Sequence, residues 1–382
     1  MLAVSKPLLF VTNDFGPRAG GIETFVIGLI ERRPYGSTIV YTSSQEASAP
    51  YDAAWLKDFG VRVIRDRSKI LLPTPRVAWA LKKIIKEHQI EVVAFGAAAP
   101  LGVLSSSLKS YGVKRTVALT HGHEVWWSKL FPFNLIMRRI GSTTDSLTYL
   151  GEFTRNAISK ALSSDAHNAM VKIAPGIDVD HFRPIDSSQL RHDLGVANKK
   201  VIVSVGRLVH RKGQDHLIQS LPEILKVHPD AHLLLVGQGP YREHLERLVA
   251  EHNLHESITF IGRIQYADLP RYICCGDIFA MPSRSRLMGL EVEGLGIVYL
   301  EASSCGLPVI AGKSGGAPDA VVDGTTGAVV DGEDDKQIAQ AVIKLFNDPV
   351  AASAMGSRGR QWIVDNWRWE IWSEKFEQLL NQ

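Results

Sequence analysis

The chain has 382 residues, about two and a half times the ~150 residues of a typical domain, so its length predicts two domains. Hydrophobic residues make up 45% and charged residues 22%, which excludes a disordered or fibrous chain. The formal net charge of +3 gives no reason to expect nucleic acid as a partner. Residues 1–182 carry a net charge of +7 and residues 183–382 one of −4, so the halves are expected to face different partners, or each other.

Targeting signals and cysteines favour a cytoplasmic enzyme. The start, MLAVSKPLLFVTNDF, reaches charged and turn residues too early for a signal peptide. The sequence has no run of about 18 apolar residues, so any membrane contact is expected to be peripheral. Cys274, Cys275 and Cys305 show neither a disulfide framework nor the spacing of a zinc site, and reduced thiols are expected.

The first half alternates short apolar strands with helical patterns. An apolar run at Leu8–Thr12 leads into a Gly/Pro-rich loop, and an apolar-periodic helix follows over residues 22–32. Residues 92–96 and 117–122 are predicted as further buried strands. Such alternation predicts βαβ units and a parallel sheet.

The second half repeats this architecture after a break. Residues 174–188 are rich in Pro, Asp and Gly and lack periodicity, which places the domain boundary near residue 182. Strands are then predicted at VIVSVGR, HLLLVGQG, ITFIGR, IFAMPS and PVIAG, and the tail over residues 349–380 reads as helix. The predicted fold is α/β, with two Rossmann-like doubly wound domains facing a central cleft. Ligands are expected beyond the carboxyl ends of the strands.

Two glycine-containing loops are candidate anion sites. Gly20 and Gly21 precede a helix, whose free N–H groups can bind an anion, although a tight turn without a ligand fits equally well. In VGRLVHRKGQD, Arg207 and Lys212 lie five residues apart after a strand that ends at Gly206. Both could converge on one diphosphate, and the alternative is a solvated basic loop.

The segment EGLGIVYLEA places two carboxylates around a helix start. Glu293 precedes the N–H groups of Leu295, Gly296 and Ile297, and Glu301 lies one turn into the helix. The carboxylates could accept hydrogen bonds from the hydroxyl groups of a sugar and of a ribose. A capped surface helix is the alternative, and the basic loop upstream disfavours it.

Two further motifs raise the question of a metal. THGHE at residues 120–124 places His121 after a strand, where it can bind a substrate hydroxyl. Its HxH pattern lacks a third ligand, which disfavours a metal site. Asp178 and Asp180 form a DxD pattern in the predicted linker, and we interpret them as a linker turn.

Together with GGIETF, APGIDVDHFRP and the Trp-rich tail, these motifs resemble the retaining GT-B glycosyltransferases of family 4 over essentially the whole chain. TNDFGPRAGGIETF and HGHEVWW are most similar to the actinobacterial mannosyltransferases that add the second mannose to phosphatidylinositol monomannoside. That subfamily usually reads NDFPPR, where this chain has Gly16. The wider family often has Phe where Leu295 stands.

The resemblance implies a GDP-mannose-dependent, retaining mannosyl transfer to phosphatidyl-myo-inositol monomannoside, giving the dimannoside. It implies that residues 1–182 bind the acceptor and residues 183–382 the nucleotide sugar, with the C-terminal helix packing back on the first domain. It also implies catalytic roles for Arg207, Lys212, His121 and Glu293. The implied GDP-mannose site comprises Gly20, Gly21, Arg207, Lys212, Arg263, Ile264, Glu293, Gly294, Leu295, Gly296, Ile297 and Glu301, and the implied acceptor site Asn13, Asp14 and Arg18.

Within this implied site, Arg207, Lys212 and the Gly21 N–H group hold the leaving diphosphate, Glu301 binds ribose, and the backbone at Arg263 and Ile264 frames the base. The resemblance implies no metal and no cofactor.

The expected location is cytoplasmic, on the inner face of the plasma membrane and bound to its anionic surface. The helix predicted over residues 77–89 combines lysines with an apolar stripe of Leu81, Ile84 and Ile85, which suits a headgroup interface or covers the helix's own core. Another lipid or soluble acceptor, or a sugar-nucleotide epimerase of similar shape, remain alternative functions.

Overall fold

The computed structural model describes residues 7–18 and 20–382, and the chain divides into two compact units. Unit 1 comprises Met1–Gly176 with Trp369–Gln382, and unit 2 comprises Ile177–Arg368. The division falls at residue 176, earlier than the 182 expected from the sequence. The segment after it is bonded to unit 2, since Ile177 donates its N–H to the Trp367 carbonyl at 2.7 Å.

Unit 1 contains a seven-stranded sheet, in the order β3-β2-β1-β4-β5-β6-β7 with parallel pairing throughout. Its strands are β1 Leu8–Thr12, β2 Thr38–Thr42, β3 Arg62–Arg65, β4 Val92–Phe95, β5 Arg115–Ala118, β6 Ser146–Tyr149 and β7 Val171–Lys172. Its helices up to residue 176 are α1 Gly21–Glu31, α2 Ser48–Phe59, α3 Pro75–Glu87, α4 Ser105–Ser110, α5 Glu124–Lys129, α6 Phe133–Thr143, α7 Glu152–Ser159 and α8 Ser164–Asn168.

The central strands of this sheet are those that the sequence predicts. Every residue of β1 and β4 is buried, as helices on both faces of a parallel sheet require. The strand expected over residues 117–122 ends at Ala118, so the residues up to His123 form a loop at its carboxyl end.

Unit 2 contains a six-stranded parallel sheet in the order β10-β9-β8-β11-β12-β13. The strands are β8 Lys200–Val205, β9 Ala231–Val236, β10 Ile258–Gly262, β11 Ile278–Met281, β12 Val309–Gly312 and β13 Gly327–Val330. The helices are α9 Ser188–Asp193, α10 Gln214–Val227, α11 Arg242–Glu251, α12 Leu269–Ile273, α13 Ile297–Ser304, α14 Asp335–Asn347 and α15 Pro349–Asn366. The first five strands coincide with the predicted ones, and the prediction of two Rossmann-like α/β domains is confirmed.

The last helix, α16 (Trp369–Asn381), belongs to unit 1. Its Phe376 ring lies 6.3 Å from the ring of Phe10 in β1, and its Glu377 carboxylate pairs with the buried Arg33 guanidinium. Trp369 packs on Gly28 of α1, where an added Cβ would lie 2.2 Å from the indole ring.

The apolar stripe of α3 lies in the core of unit 1. Leu81, Ile84 and Ile85 are 0%, 7% and 2% exposed, so they cannot contact a membrane, and that interpretation of the stripe is wrong. The reason is the parallel sheet itself, which needs an amphipathic helix to cover its face.

We predict that Gly28→Ala lowers the stability of the protein by about 1–3 kcal/mol, because the new methyl group overlaps the Trp369 ring in a packed core. The matched control is Gly21→Ala on the same helix, where an added Cβ meets nothing within 4 Å. Urea unfolding measures both. Equal stability of the two variants would mean that α16 does not pack on α1 as described.

Candidate active site

The basic loop after β8 places one lysine in a buried ion pair. Lys212 ends a short 3-10 turn before α10, and its side chain is 10% exposed. Its Nζ atom lies 2.7 Å from Oε2 of Glu293, whose side chain is 8% exposed. Arg207 belongs to the same loop but is exposed. The structure therefore brings together Lys212 and Glu293, with Arg207 at the surface.

A glycine fixes the path of the chain directly after Lys212. Gly213 has φ +74°, and an added Cβ would lie 1.9 Å from the Pro282 carbonyl oxygen at the end of β11. A side chain at this position would be both strained and obstructed. The lysine loop is thus held against the loop that follows β11.

A second ion pair holds the same two loops together, and it was missed by the sequence analysis. Arg284 follows β11 and donates to Asp215 of α10 through two nitrogens, at 2.7 and 2.6 Å. Its backbone N–H also donates to the Arg211 carbonyl at 2.9 Å. The only sequence signal was an arginine directly after a predicted strand, which by itself does not indicate a buried pair.

The glycine segment after Glu293 leads into α13 as the sequence predicts. Gly296 has φ +81° and precedes the first residue of the helix, Ile297. The Glu293 carbonyl accepts a hydrogen bond from the N–H of Gly316 at 2.8 Å, which anchors the start of the glycine segment. Free N–H groups at the start of a helix attract anions and carbonyl or hydroxyl oxygens.

The two carboxylates have opposite electrostatic surroundings. Burial would raise the pKa of Glu293, but the charges of Lys212 and Arg211 outweigh burial and hold that pKa below its usual value. Glu301, on α13, is 7% exposed. Burial raises the pKa of Glu301 to about 7, and the Lys212 charge offsets this only in part. Glu293 is therefore a fixed anion, and Glu301 exchanges a proton near neutral pH.

The two residues expected to contact the nucleotide base, Arg263 and Ile264, follow the carboxyl end of β10. Arg263 is exposed and Ile264 is partly buried, directly after Gly262. The loops after β8, β10 and β11 all leave the same edge of the unit 2 sheet, because its strands are parallel.

In unit 1, His121 lies in the loop after β5 with its ring held from several sides. Its Nε2 atom contacts the Gly96 carbonyl, so Nε2 carries a proton and Nδ1 is left as an acceptor. Its backbone N–H donates to Glu124 Oε2 at 2.9 Å. Burial lowers the pKa of His121 against the opposing charge of Glu124, so the imidazole is neutral. Glu124, which is fully buried, was missed by the sequence analysis.

The residues assigned to the acceptor form part of a charged group near α1. Arg18 lies 2.5 Å from Glu23 and 3.4 Å from Asp14. Burial, reinforced by Glu23, raises the pKa of Asp14 to about 6. The Asn13 side chain instead bonds the backbone of Leu71 at 3.0 and 2.7 Å, which gives it a structural task.

The glycines before α1 differ in their surroundings. Gly20 has extended backbone, and an added Cβ would lie 2.3 Å from Oε2 of Glu23. Gly21 opens α1 and is exposed, with nothing within 4 Å of an added Cβ.

The DxD pattern forms a turn. Oδ1 of Asp178 accepts the N–H groups of Asp180 and His181 at 3.1 and 2.9 Å. Over residues 7–18 and 20–382, no three His, Cys, Asp or Glu side chains group together as metal ligands would.

Comparison with known proteins places these features in context. A family model described as "Glycosyl transferases group 1" matches residues 186–362. The chain is 44% identical over 378 residues to a GDP-mannose-dependent alpha-(1-6)-phosphatidylinositol monomannoside mannosyltransferase of Mycolicibacterium smegmatis, covering 98% of each chain. It is 41% identical over 383 residues to a GDP-mannose-dependent monoacylated alpha-(1-6)-phosphatidylinositol monomannoside mannosyltransferase of Corynebacterium glutamicum, covering 99% of each.

A solved structure with the same fold is that of Anabaena Alr3699/HepE in complex with UDP. It matches with a TM-score of 0.82 at 19% identity, covering 98% of this chain and 99% of that one. At this identity the likeness shows the fold alone, and that fold is the GT-B architecture expected from the sequence.

We predict that Glu301→Gln changes the pH dependence of stability. Because the pKa of Glu301 rises from 4.5 to about 7 on folding, wild-type stability is fully present below about pH 4.5 and falls as the pH rises toward 7. The glutamine variant lacks this loss, so its stability relative to wild type increases by up to about 3 kcal/mol across that range.

Urea unfolding at several pH values measures the difference, with the exposed Glu251→Gln on α11 as control. A difference between Glu301→Gln and wild type that does not change with pH would contradict the burial-driven shift.

Proposed function

The chain belongs to the group 1 glycosyltransferase family, and we propose that it transfers mannose from GDP-mannose to a phosphatidylinositol monomannoside, giving the dimannoside with retention of configuration. The observation that carries this proposal is the similarity to named mannosyltransferases over 98% of both chains. The geometry of each unit fits the parts of such a reaction.

The diphosphate of the sugar nucleotide is bound by Lys212 and Arg207 at the carboxyl edge of the unit 2 sheet. Without a ligand, Glu293 compensates the Lys212 charge, which avoids an unpaired buried ion. The exposed Arg207 guanidinium can turn toward phosphate oxygens and bind two of them. As the sugar–oxygen bond breaks, negative charge grows on the diphosphate, and both cations stabilise it more strongly than in the ground state.

The sugar and the ribose are bound by the segment from Glu293 to Glu301. Glu293, an anion that Lys212 releases when the diphosphate binds, accepts hydrogen bonds from mannose hydroxyls, and the Gly294, Leu295, Gly296 and Ile297 backbone lies beside it. Glu301 accepts hydrogen bonds from the ribose. In unit 1, Nδ1 of the neutral His121 accepts a hydrogen bond from the O6 hydroxyl group of mannose.

Transfer proceeds on one face of the sugar without a covalent intermediate. The C1–O bond to the diphosphate breaks while the acceptor oxygen bonds to C1 from the same side. The acceptor proton passes to a phosphate oxygen of the departing GDP. Because the cations Lys212 and Arg207 neutralise the diphosphate, we propose that no metal ion takes part.

Product analysis tests this function. The protein is incubated with GDP-mannose and phosphatidylinositol monomannoside in the presence and absence of EDTA, and the glycolipid is analysed by mass spectrometry and NMR. We expect an α-linked dimannoside and no effect of EDTA. A dimannoside formed only from another nucleotide sugar, transfer only to another lipid or soluble acceptor, or a new nucleotide sugar without transfer would each overturn the proposal.

We predict that Lys212→Ala lowers kcat about a hundredfold or more, because the developing charge on the diphosphate loses its buried cation. Lys226→Ala on α10 is the matched control, since Lys226 is exposed and pairs only with Glu223 of its own helix among the contacts described. Steady-state release of GDP measures both. Near-wild-type turnover of Lys212→Ala would remove Lys212 from the mechanism.

A lipid acceptor also requires contact with a membrane, and we propose that unit 1 docks peripherally on the anionic inner face of the plasma membrane. No helix within residues 7–18 and 20–382 has the length and apolar character needed to cross a bilayer. The segment over residues 67–86 exposes Ile70, Leu72 and Trp79 at 65%, 52% and 68%. The same segment exposes the basic residues Arg67, Lys69, Lys83 and Lys86.

We predict that a Trp79→Ser/Lys83→Glu/Lys86→Glu variant binds vesicles containing phosphatidylinositol more weakly by on the order of thirtyfold at low salt, since each of the two lost basic residues near an anionic surface contributes about 1 kcal/mol. Lys336→Glu/Lys344→Glu on α14 in unit 2 is the control with two of the same charge changes. Co-sedimentation at low and high salt measures binding. If both variants bind alike, residues 67–86 are not the docking surface.

A further inference from the structure

We propose that Trp369, the first residue of the C-terminal helix α16, positions the ring of His121 through Phe25. This inference rests on the role given to His121 in the proposed function. Trp369 is far from His121 in sequence, and from the sequence alone it is only a packing tryptophan.

The His121 ring has little freedom to move, because its contacts hold it in one orientation. Nε2 is held by the Gly96 carbonyl, and the backbone is held by Glu124. The Phe25 ring meets the imidazole edge to face, with centroids 5.5 Å apart and an interplanar angle of 82°. The ring of His123 lies nearly parallel to the His121 ring, with centroids 6.1 Å apart. Phe25 is thus a direct neighbour of the imidazole on the α1 side.

Phe25 is in turn stacked against Trp369. The two rings lie 6.4 Å apart with an interplanar angle of 28°, and both side chains are buried. Phe25 and Trp369 therefore form one continuous aromatic contact that ends at the imidazole.

Trp369 itself is tightly seated. An added Cβ at Gly28 would lie 2.2 Å from its ring, and one at Gly176 would lie 2.4 Å from its Cα atom. The Arg32 guanidinium lies 4.6 Å above the indole, a cation–π contact. Because Gly28, Gly176 and Arg32 all pack closely around Trp369, its indole ring is held in one position.

Close packing transmits this position to the imidazole. A protein interior has few voids, so removing an indole leaves space into which Phe25 can relax. The imidazole then loses its edge contact, and Nδ1 no longer lies at a fixed distance from the sugar hydroxyl. A misplacement of about 1 Å can cost on the order of a hundredfold in rate.

The same helix provides a matched control in Trp372. Its side chain is 4% exposed, and its ring lies near the ammonium groups of Lys172 and Lys375, at 5.8 and 4.5 Å. Replacing Trp372 removes an equally large buried side chain from α16 and leaves the side chains of Phe25 and Trp369 in place.

The experiment compares Trp369→Leu, Trp369→Phe and Trp372→Leu with the wild type. For each full-length protein we measure thermal unfolding, kcat and KM for GDP-mannose on the folded fraction, and GDP affinity. We also record the imidazole resonances of His121 by NMR with labelled histidine, assigned with His121→Gln.

We expect both leucine variants to lower the unfolding temperature, since each loses a buried indole. Only Trp369→Leu should lower kcat, by on the order of tenfold or more, with GDP affinity unchanged, and only this variant should shift the His121 resonances. Trp369→Phe should restore most of kcat, because a phenyl ring can still stack on Phe25.

Equal losses of kcat in the two leucine variants, or unshifted His121 resonances in Trp369→Leu, would overturn the proposal. The NMR readout does not need an acceptor. Shifted resonances in a protein that transfers no mannose would therefore disprove the proposed function and leave the positioning role intact.

Discussion

The buried ion pair between Lys212 and Glu293 is the interaction on which the unit 2 site depends. Neither charge is stable alone in this position, and each determines the state of the other. Lys212 keeps Glu293 ionised, and Glu293 compensates the buried ammonium charge in the loop after β8. The paired charges leave no uncompensated buried ion in the ligand-free protein.

The surrounding fold maintains this pair through backbone geometry. Gly213 lets the Lys212 loop approach the Pro282 carbonyl, and the Arg284–Asp215 ion pair joins the same two parts of the chain. Unit 1 presents a different chemistry, with a neutral histidine. There burial, not a partner charge, fixes the protonation state of His121. Unit 2 thus contains a buried pair of opposite charges, and unit 1 a buried neutral imidazole.

Much of the architecture could be predicted because it depends on local pattern. The apolar runs that form β1, β4 and β8 to β12 are readable in the sequence, since strands covered on both faces are almost wholly apolar. Lys212 and Glu293 could be located because each adjoins a glycine in a loop after such a strand. Glu301 could be located because it lies one turn into the helix that follows Glu293. The pairing of Arg284 with Asp215 could not, because it joins residues 69 positions apart. The sequence also could not show whether the apolar stripe of α3 packs in the core or faces a membrane, because an amphipathic helix fits both.

In the proposed function, Glu293 holds Lys212 until the diphosphate takes the place of the carboxylate. Isothermal titration of GDP into the wild type and into Glu293→Gln tests it most directly. Removing the competing negative charge should tighten GDP binding, although turnover falls because the neutral amide is a weaker acceptor for the mannose hydroxyls than the carboxylate. GDP binding that is unchanged or weaker in Glu293→Gln would contradict the claim.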